Sequence, residues 1–191
     1  MKYTQGWTPV NPDIQNFRER DLIFVDLEFS GLDPRINEIL EVVSIIVDGT
    51  TLEIKKEYEA KVKPLHIENS DPVSLQINGY KKENWTKAKS IKTVLRDLNK
   101  MAPHGVVTGW NVTYDWMFLE MAYRNNNIKP GFDYHKLDVL AIGYVYALKH
   151  SEIREVKLSA FVEHFKIERR EIHRAFADIK ATYEVFMKLI A

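Results

Sequence analysis

The 191-residue sequence reads as an α/β protein with a mixed central sheet flanked by helices. Three observations carry that reading. An apolar, strand-like region over residues 22–64 contains a hairpin signal at Asp48-Gly49, short strand patterns then alternate with helical periodicities, and the chain closes on helical patterns.

Residues 22–29, LIFVDLEF, form the first expected strand, and 39–64 divide at Asp48-Gly49 into two more, so the fold opens with a three-stranded meander. The segment SDPVSLQINGY combines a Ser-Asp-Pro start with a glycine stop, which predicts a short helix. WTKAKSIKTVLRDLNKM repeats apolar residues at Ile91, Val94, Leu95 and Leu98 and predicts another. GVVTGW is a short strand, TYDWMFLEMAYRNNN is helical, and a brief strand is expected near 134–138. Helices over roughly 139–149, 157–165 and 174–190 complete the chain, and no repeat or linker divides it, so residues 1–191 are expected to form a single domain. Residues 1–20 read as an irregular lead-in strand or arm without the apolar core of a signal peptide.

Composition narrows the function. Lys plus Arg balance Asp plus Glu at 27 each, which argues against coating long duplexes but permits a basic rim around an acidic pocket. The absence of cysteine excludes thiol catalysis, thiolate metal sites and disulfides. The apolar stretch VLAIGYVYAL is about half the length needed to cross a bilayer, so no membrane role is expected and the cytoplasm is the expected location.

Charge in the first strand needs an explanation. Alternation turns Phe24, Asp26 and Glu28 to one face and Val25, Leu27 and Phe29 to the other. Two ionised carboxylates converging in an apolar segment repel and lose hydration unless a cation or shared proton compensates; otherwise the strand is an exposed edge with solvated acids. Asn111 and Asp115, four residues apart in GWNVTYDWMF, would share one face of a helix, where Asp115 is either an exposed position or a functional group among apolar neighbours. His173 and Asp178 lie five residues apart, about 140° apart on one continuous helix. Cooperation therefore needs His173 on a loop or first turn before that helix. His66, His104, His135, His150 and His164 show no such partner spacing and read as ordinary surface or core residues.

The ordered motifs Asp26-x-Glu28, Asn111-x-x-x-Asp115 and His173-x-x-x-x-Asp178 resemble the DEDD exonuclease superfamily, in its DEDDh branch with a histidine in the third motif. Ribonuclease T, oligoribonuclease and the epsilon subunit of bacterial DNA polymerase III belong to that branch. The resemblance covers residues 21 to about 190 and implies a ribonuclease H-like fold with two divalent cations, Mg²⁺ or Mn²⁺, held by Asp26, Glu28, Asp115 and Asp178. All-oxygen ligands suit those hard ions. It also implies that His173 acts as general base, and that Phe29, Ser30, Gly31, Leu32 and Asn111 meet the terminal nucleotide. DLEFSGLDP is close to oligoribonucleases, which usually write Met and Thr at the positions of Phe29 and Ser30. Many polymerase-type relatives carry His where this chain has Trp110. Asp138 matches an acid often found in relatives and reads as a supporting or capping residue.

The implied activity is metal-dependent 3′-to-5′ hydrolysis of single-stranded DNA or RNA ends to nucleoside 5′-monophosphates. The alternatives are a nucleic-acid-binding module without turnover and a proofreading module docked on a polymerase. The resemblance further admits a homodimer, since dimers occur among relatives.

Overall fold

A computed structural model of the chain describes residues 16–168 and 175–191. His173, most of the expected lead-in and the start of the expected last helix lie outside those residues.

The sheet has five strands in the order β3-β2-β1-β4-β5. β1 (Leu22–Phe29), β2 (Ile39–Val47) and β3 (Ile54–Lys61) form the antiparallel meander, while β4 (Val106–Gly109) and β5 (Lys136–Asp138) run parallel to β1. Among the described residues, six α-helices follow the expected order: α1 (Pro72–Ile77), α2 (Ile91–Met101), α3 (Val112–Asn125), α4 (Val139–Ala147), α5 (Leu158–His164) and α6 (Ala175–Ile190). The mixed sheet flanked by helices is therefore as the sequence predicts.

Alternation along β1 separates two cores. Ile23, Val25 and Leu27 pack with residues of α2 and α3, among them Leu95, Leu98, Phe118 and Leu119. Phe24 faces the opposite layer, with Val139 of α4, Phe161 of α5 and Val185 and Phe186 of α6. Asp26 has the parity of Phe24 and pairs across the sheet with Val43, a member of that second core. The strand thus points its acids toward the layer that contains α6.

Local signals set the helix ends. Asp71 accepts from the Val73 and Ser74 amides ahead of Pro72, as a Ser-Asp-Pro start requires. Ser90 caps α2 through the Thr93 amide. Residues 85–90 do not join that helix, contrary to the expected span from Trp85. The Trp85 indole N–H donates to the Leu40 carbonyl at 3.1 Å, and Lys89 pairs with residues 61 and 63 as a strand-like bridge. Asp48-Gly49 does join β2 to β3, but through a longer loop closed by the Leu52 amide on the Asp48 carbonyl. Gly49 is required there for space: a Cβ would lie 2.0 Å from the Arg20 carbonyl oxygen of the lead-in. The described end of the lead-in forms a 3₁₀ turn at Phe17–Glu19, and Arg20 pairs with buried Asp133 at 3.0 Å.

Phe24 joins β1 to α6 through edge-on contacts with Tyr183 and Phe186, at 5.7 and 5.5 Å between ring centroids. Phe24→Ala is therefore expected to lower unfolding stability by about 3–5 kcal/mol in urea titration. A loss below about 1 kcal/mol would show that this contact does not hold α6 to the sheet.

Candidate active site

The parallel strands β1, β4 and β5 direct their carboxyl ends to one edge of the sheet, where in α/β sheets ligands are commonly bound. Asp26 and Glu28 occupy the last half of β1, Asp138 ends β5, and α3 begins just beyond β4. β4 pairs with β1 only as far as Phe24↔Thr108, so the later amides of β1 have no strand partner on that side. Gly109 makes the departure tight, since a Cβ would lie 2.9 Å from the Val25 carbonyl oxygen and against Val112.

Asp115 fills the opening. Its carboxylate Oδ1 accepts the Leu27 amide at 3.1 Å, so an acid from α3 is seated at the residue between Asp26 and Glu28. The side chain is 7% exposed, which answers the sequence-level choice against a solvated helix position. Burial pushes the Asp115 carboxyl up to about 8, despite its backbone hydrogen bonds, and the charges of Glu28 and Asp138 push the same way. Burial also raises Glu28, helped by Glu41 directly across the β1–β2 pair. Asp178 stands on the first turn of α6, half-buried, and shares a helix face with Thr182 and Val185, which are buried.

Asp115 is thus seated between Asp26 and Glu28 at the carboxyl end of β1, and Asp178 stands on the first turn of α6, in the layer toward which the parity of Asp26 points. Crowding that raises the pKa of buried carboxylates is relieved by divalent cations, and a donor set of carboxylate oxygens suits Mg²⁺ or Mn²⁺. The residues present thus fit hard divalent cations.

Asn111 departs from the sequence expectation. It precedes α3 in a left-handed conformation, φ 56°, so it does not share a helix face with Asp115. Its amide instead donates to Asp138 Oδ1 at 3.0 Å, and the same oxygen accepts the Leu140 amide to cap α4. Asp138 is thus a capping residue that also fixes the turn before α3. Trp110 packs against Phe161 of α5, with ring centroids 5.3 Å apart.

Downstream of the acids, Phe29 stacks on Phe118 at 3.8 Å and meets Tyr114 edge-on. Ser30 is buried: its hydroxyl accepts the Glu38 amide, its own amide donates to the Glu38 carbonyl, and its carbonyl accepts the Asp71 amide. Gly31 is also buried, whereas Leu32 is 70% exposed and its carbonyl accepts the Tyr114 hydroxyl at 2.7 Å. Leu32, Met117 and Met121 line a shallow groove with Asp33, Arg35 and Glu120. Sequence reasoning missed Tyr114, Phe118 and Glu41. The position of Glu41 could have been found by pairing the two strands of the meander, but the aromatic contacts depend on how α3 docks.

The carboxyl shifts fix a pH dependence for the cation-free protein. Folded Asp115 titrates near 8 instead of 3.8, so the folded state holds the proton more tightly than the unfolded chain. That contribution to stability is complete below the unfolded pKa and disappears as pH rises through about 8. In excess chelator, the melting temperature is expected to fall between pH 5 and 8, and Asp115→Asn should flatten the fall and raise the pH 8 value by about 5 °C. Parallel pH profiles for the two proteins would place the titration elsewhere.

The RNase T family model, described as exonuclease, matches residues 23–186. The chain is 26% identical over 180 residues to the PolC-type DNA polymerase III of Thermotoga maritima, covering 93% of this chain and 12% of that protein. It thus spans about an eighth of the length of the polymerases it matches. It is 29% identical over 136 residues to the oligoribonuclease of Vibrio vulnificus, covering 65% of this chain and 74% of that protein. Escherichia coli exonuclease I in complex with a dT13 oligonucleotide superposes with a TM-score of 0.74 at 19% identity, over 90% of this chain and 40% of that one. The nuclease domain of 3′hExo, a DEDDh family member bound to rAMP, gives 0.72 at 16% identity, over 92% and 94%. The likenesses to solved structures identify the ribonuclease H-like fold, and the match over residues 23–186 places the chain in the RNase T exonuclease family.

Proposed function

We propose that the chain removes nucleotides one at a time from unpaired 3′ ends of DNA or RNA, as a single exonuclease domain acting in the cytoplasm. The observation that carries this reading is the Asp115–Leu27 hydrogen bond, which seats a buried acid beside Asp26 and Glu28. Asp26, Glu28, Asp115 and Asp178 hold two divalent cations in this reading. When bound, such cations lower the pKa of an attacking water and stabilise the leaving oxygen of a phosphodiester.

The protein's own groups do the rest. His173 takes the proton of the attacking water, because imidazole titrates near neutrality; its place in the third motif supports this role. Leu32 offers the terminal base an exposed apolar face, and its carbonyl accepts the hydroxyl of Tyr114, which meets the stacked pair Phe29–Phe118. Apolar and aromatic contacts tolerate any base, in keeping with digestion independent of sequence. The Gly31 backbone and the side chain of Asn111 complete the contacts to the terminal nucleotide, while Ser30, whose amide and hydroxyl are engaged by Glu38, holds the turn that presents them. No helix among the described residues is long and apolar enough to cross a membrane, in keeping with a substrate met in solution.

The alignment with PolC-type polymerases over nearly the whole chain supports single-stranded DNA as the first substrate to test, and a polymerase as a docking partner. The oligoribonuclease likeness supports short RNA as the second.

A 5′-labelled single strand should shorten as a ladder from its 3′ end, a blunt duplex should react more slowly, and chelation should abolish both reactions, with Mg²⁺ or Mn²⁺ restoring them. Immediate internal cuts, or digestion of covalently closed circles, would indicate an endonuclease. His173→Ala should cost roughly 10² to 10⁴ in rate with cation binding retained. Asp178→Ala should lose far more turnover than Asp138→Ala, whose main cost should be about 1 kcal/mol of stability from the lost cap. Equal losses of turnover at the two positions, at equal stability, would transfer the ligand role to Asp138.

A further inference from the structure

We propose that His150, Glu152 and His164 form a second cation site, selective for a borderline ion such as Zn²⁺ and separate from the carboxylate centre. One ring nitrogen of each histidine and one carboxylate oxygen of Glu152 lie within 4.8 Å of one another. His150 and Glu152 occupy the turn after α4, and His164 is the last residue of α5. α4 is capped by Asp138 and is 9 residues long, so the cluster lies at the other end of a helix on the order of 14 Å in length from Asp138.

The two rings are held in place by one tyrosine. His150 stacks on Tyr146 at 3.9 Å with planes 6° apart, and the Tyr146 hydroxyl lies 3.3 Å from His164 Nε2. Phe165 packs edge-on against His164 at 4.8 Å. These contacts leave Nδ1 of His150 and Nδ1 of His164 facing the same Glu152 oxygen, at 3.2 and 3.6 Å. A polar partner on the remote ring nitrogen is the arrangement that orients a metal-binding imidazole and fixes which nitrogen carries the lone pair. In the tautomer with His164 Nε2–H donating to Tyr146, the Nδ1 lone pair is presented toward Glu152.

Two imidazoles and a carboxylate are the donor set of three-ligand zinc sites, with water in the fourth position. Ligand atoms about 2.0–2.2 Å from a tetrahedral ion stand roughly 3.4 Å from each other, a spacing that the two nitrogen–oxygen separations of 3.2 and 3.6 Å already match, and the two ring nitrogens, within 4.8 Å of each other, need only a modest approach. Imidazole nitrogen favours Zn²⁺ over Mg²⁺, which keeps its waters and prefers oxygen. Once bound, the ion ties the turn after α4 to the end of α5, the helix whose Phe161 supports Trp110 beside the second motif.

The test uses Zn²⁺ alone as probe, in competition with a chromophoric chelator, on the full chain carrying Asp26→Ala and Asp115→Ala to silence the carboxylate centre. One equivalent of Zn²⁺ should bind and persist in a large excess of Mg²⁺. His150→Gln and His164→Gln should each weaken binding at least about tenfold, and Tyr146→Phe should weaken it by a similar factor through ring orientation. Zn²⁺ should also raise the melting temperature of the parent protein but not of the double variant His150→Gln/His164→Gln. In NMR spectra of the unsubstituted protein with Mg²⁺ present, the His150 and His164 ring signals should shift on addition of Zn²⁺. Unchanged affinity in that double variant, full displacement by Mg²⁺, or unshifted His150 and His164 signals would each overturn the proposal.

Discussion

Asp115 is buried at the end of a sheet strand, tied by one oxygen to the Leu27 amide, with Glu28 and Asp138 near enough to raise its pKa. An acid in that position loses water and meets like charge, both of which oppose ionisation. Keeping it there takes a rigid surround. β4 stops pairing with β1 so that the Leu27 amide is open, Gly109 lets the chain turn sharply, and Asp138 holds the Asn111 amide so that α3 starts where it must. The packing of Phe24 against Tyr183 and Phe186 then docks α6, whose first turn carries Asp178. Burial and repulsion are two consequences of one placement.

Much of this was legible in the sequence. A strand with acids at alternate positions requires that Asp26 and Glu28 share a face, and the same alternation put Phe24 on the opposite side from Val25 and Leu27, as the two cores have them. Helix starts with explicit chemistry, such as Asp71-Pro72 and Asp138, were equally readable. The Asn111–Asp115 geometry was not, because spacing assumes a continuous helix and the left-handed turn at Asn111 comes from a tertiary hydrogen bond to Asp138. For the same reason the start of α2 was placed too early: Trp85 and Lys89 are recruited by β2 and β3, partners far away in sequence. His150 and Glu152 are neighbours in the chain, but His164 joins them only through the packing of α4 and α5.

The two clusters illustrate how side-chain chemistry sorts cations. The proposed carboxylate set is all-oxygen and centres on buried Asp115, with Asp26, Glu28 and Asp178 half-buried, which suits hard ions with strong charge. The histidine group is partly exposed and needs no buried charge, so its selectivity rests on imidazole donors and on Tyr146 orienting them.

The claim on which this account turns is that the carboxylates are crowded until cations arrive, and the ionisation of Asp115 measures it. Carbon-13 NMR of the Asp115 carboxyl across pH, with and without Mg²⁺, follows that one group directly. A titration near 8 in excess chelator that drops by several units on adding Mg²⁺ is the predicted result. A midpoint near the ordinary 3.8 in both conditions would show that the acids are neither crowded nor arranged for cations.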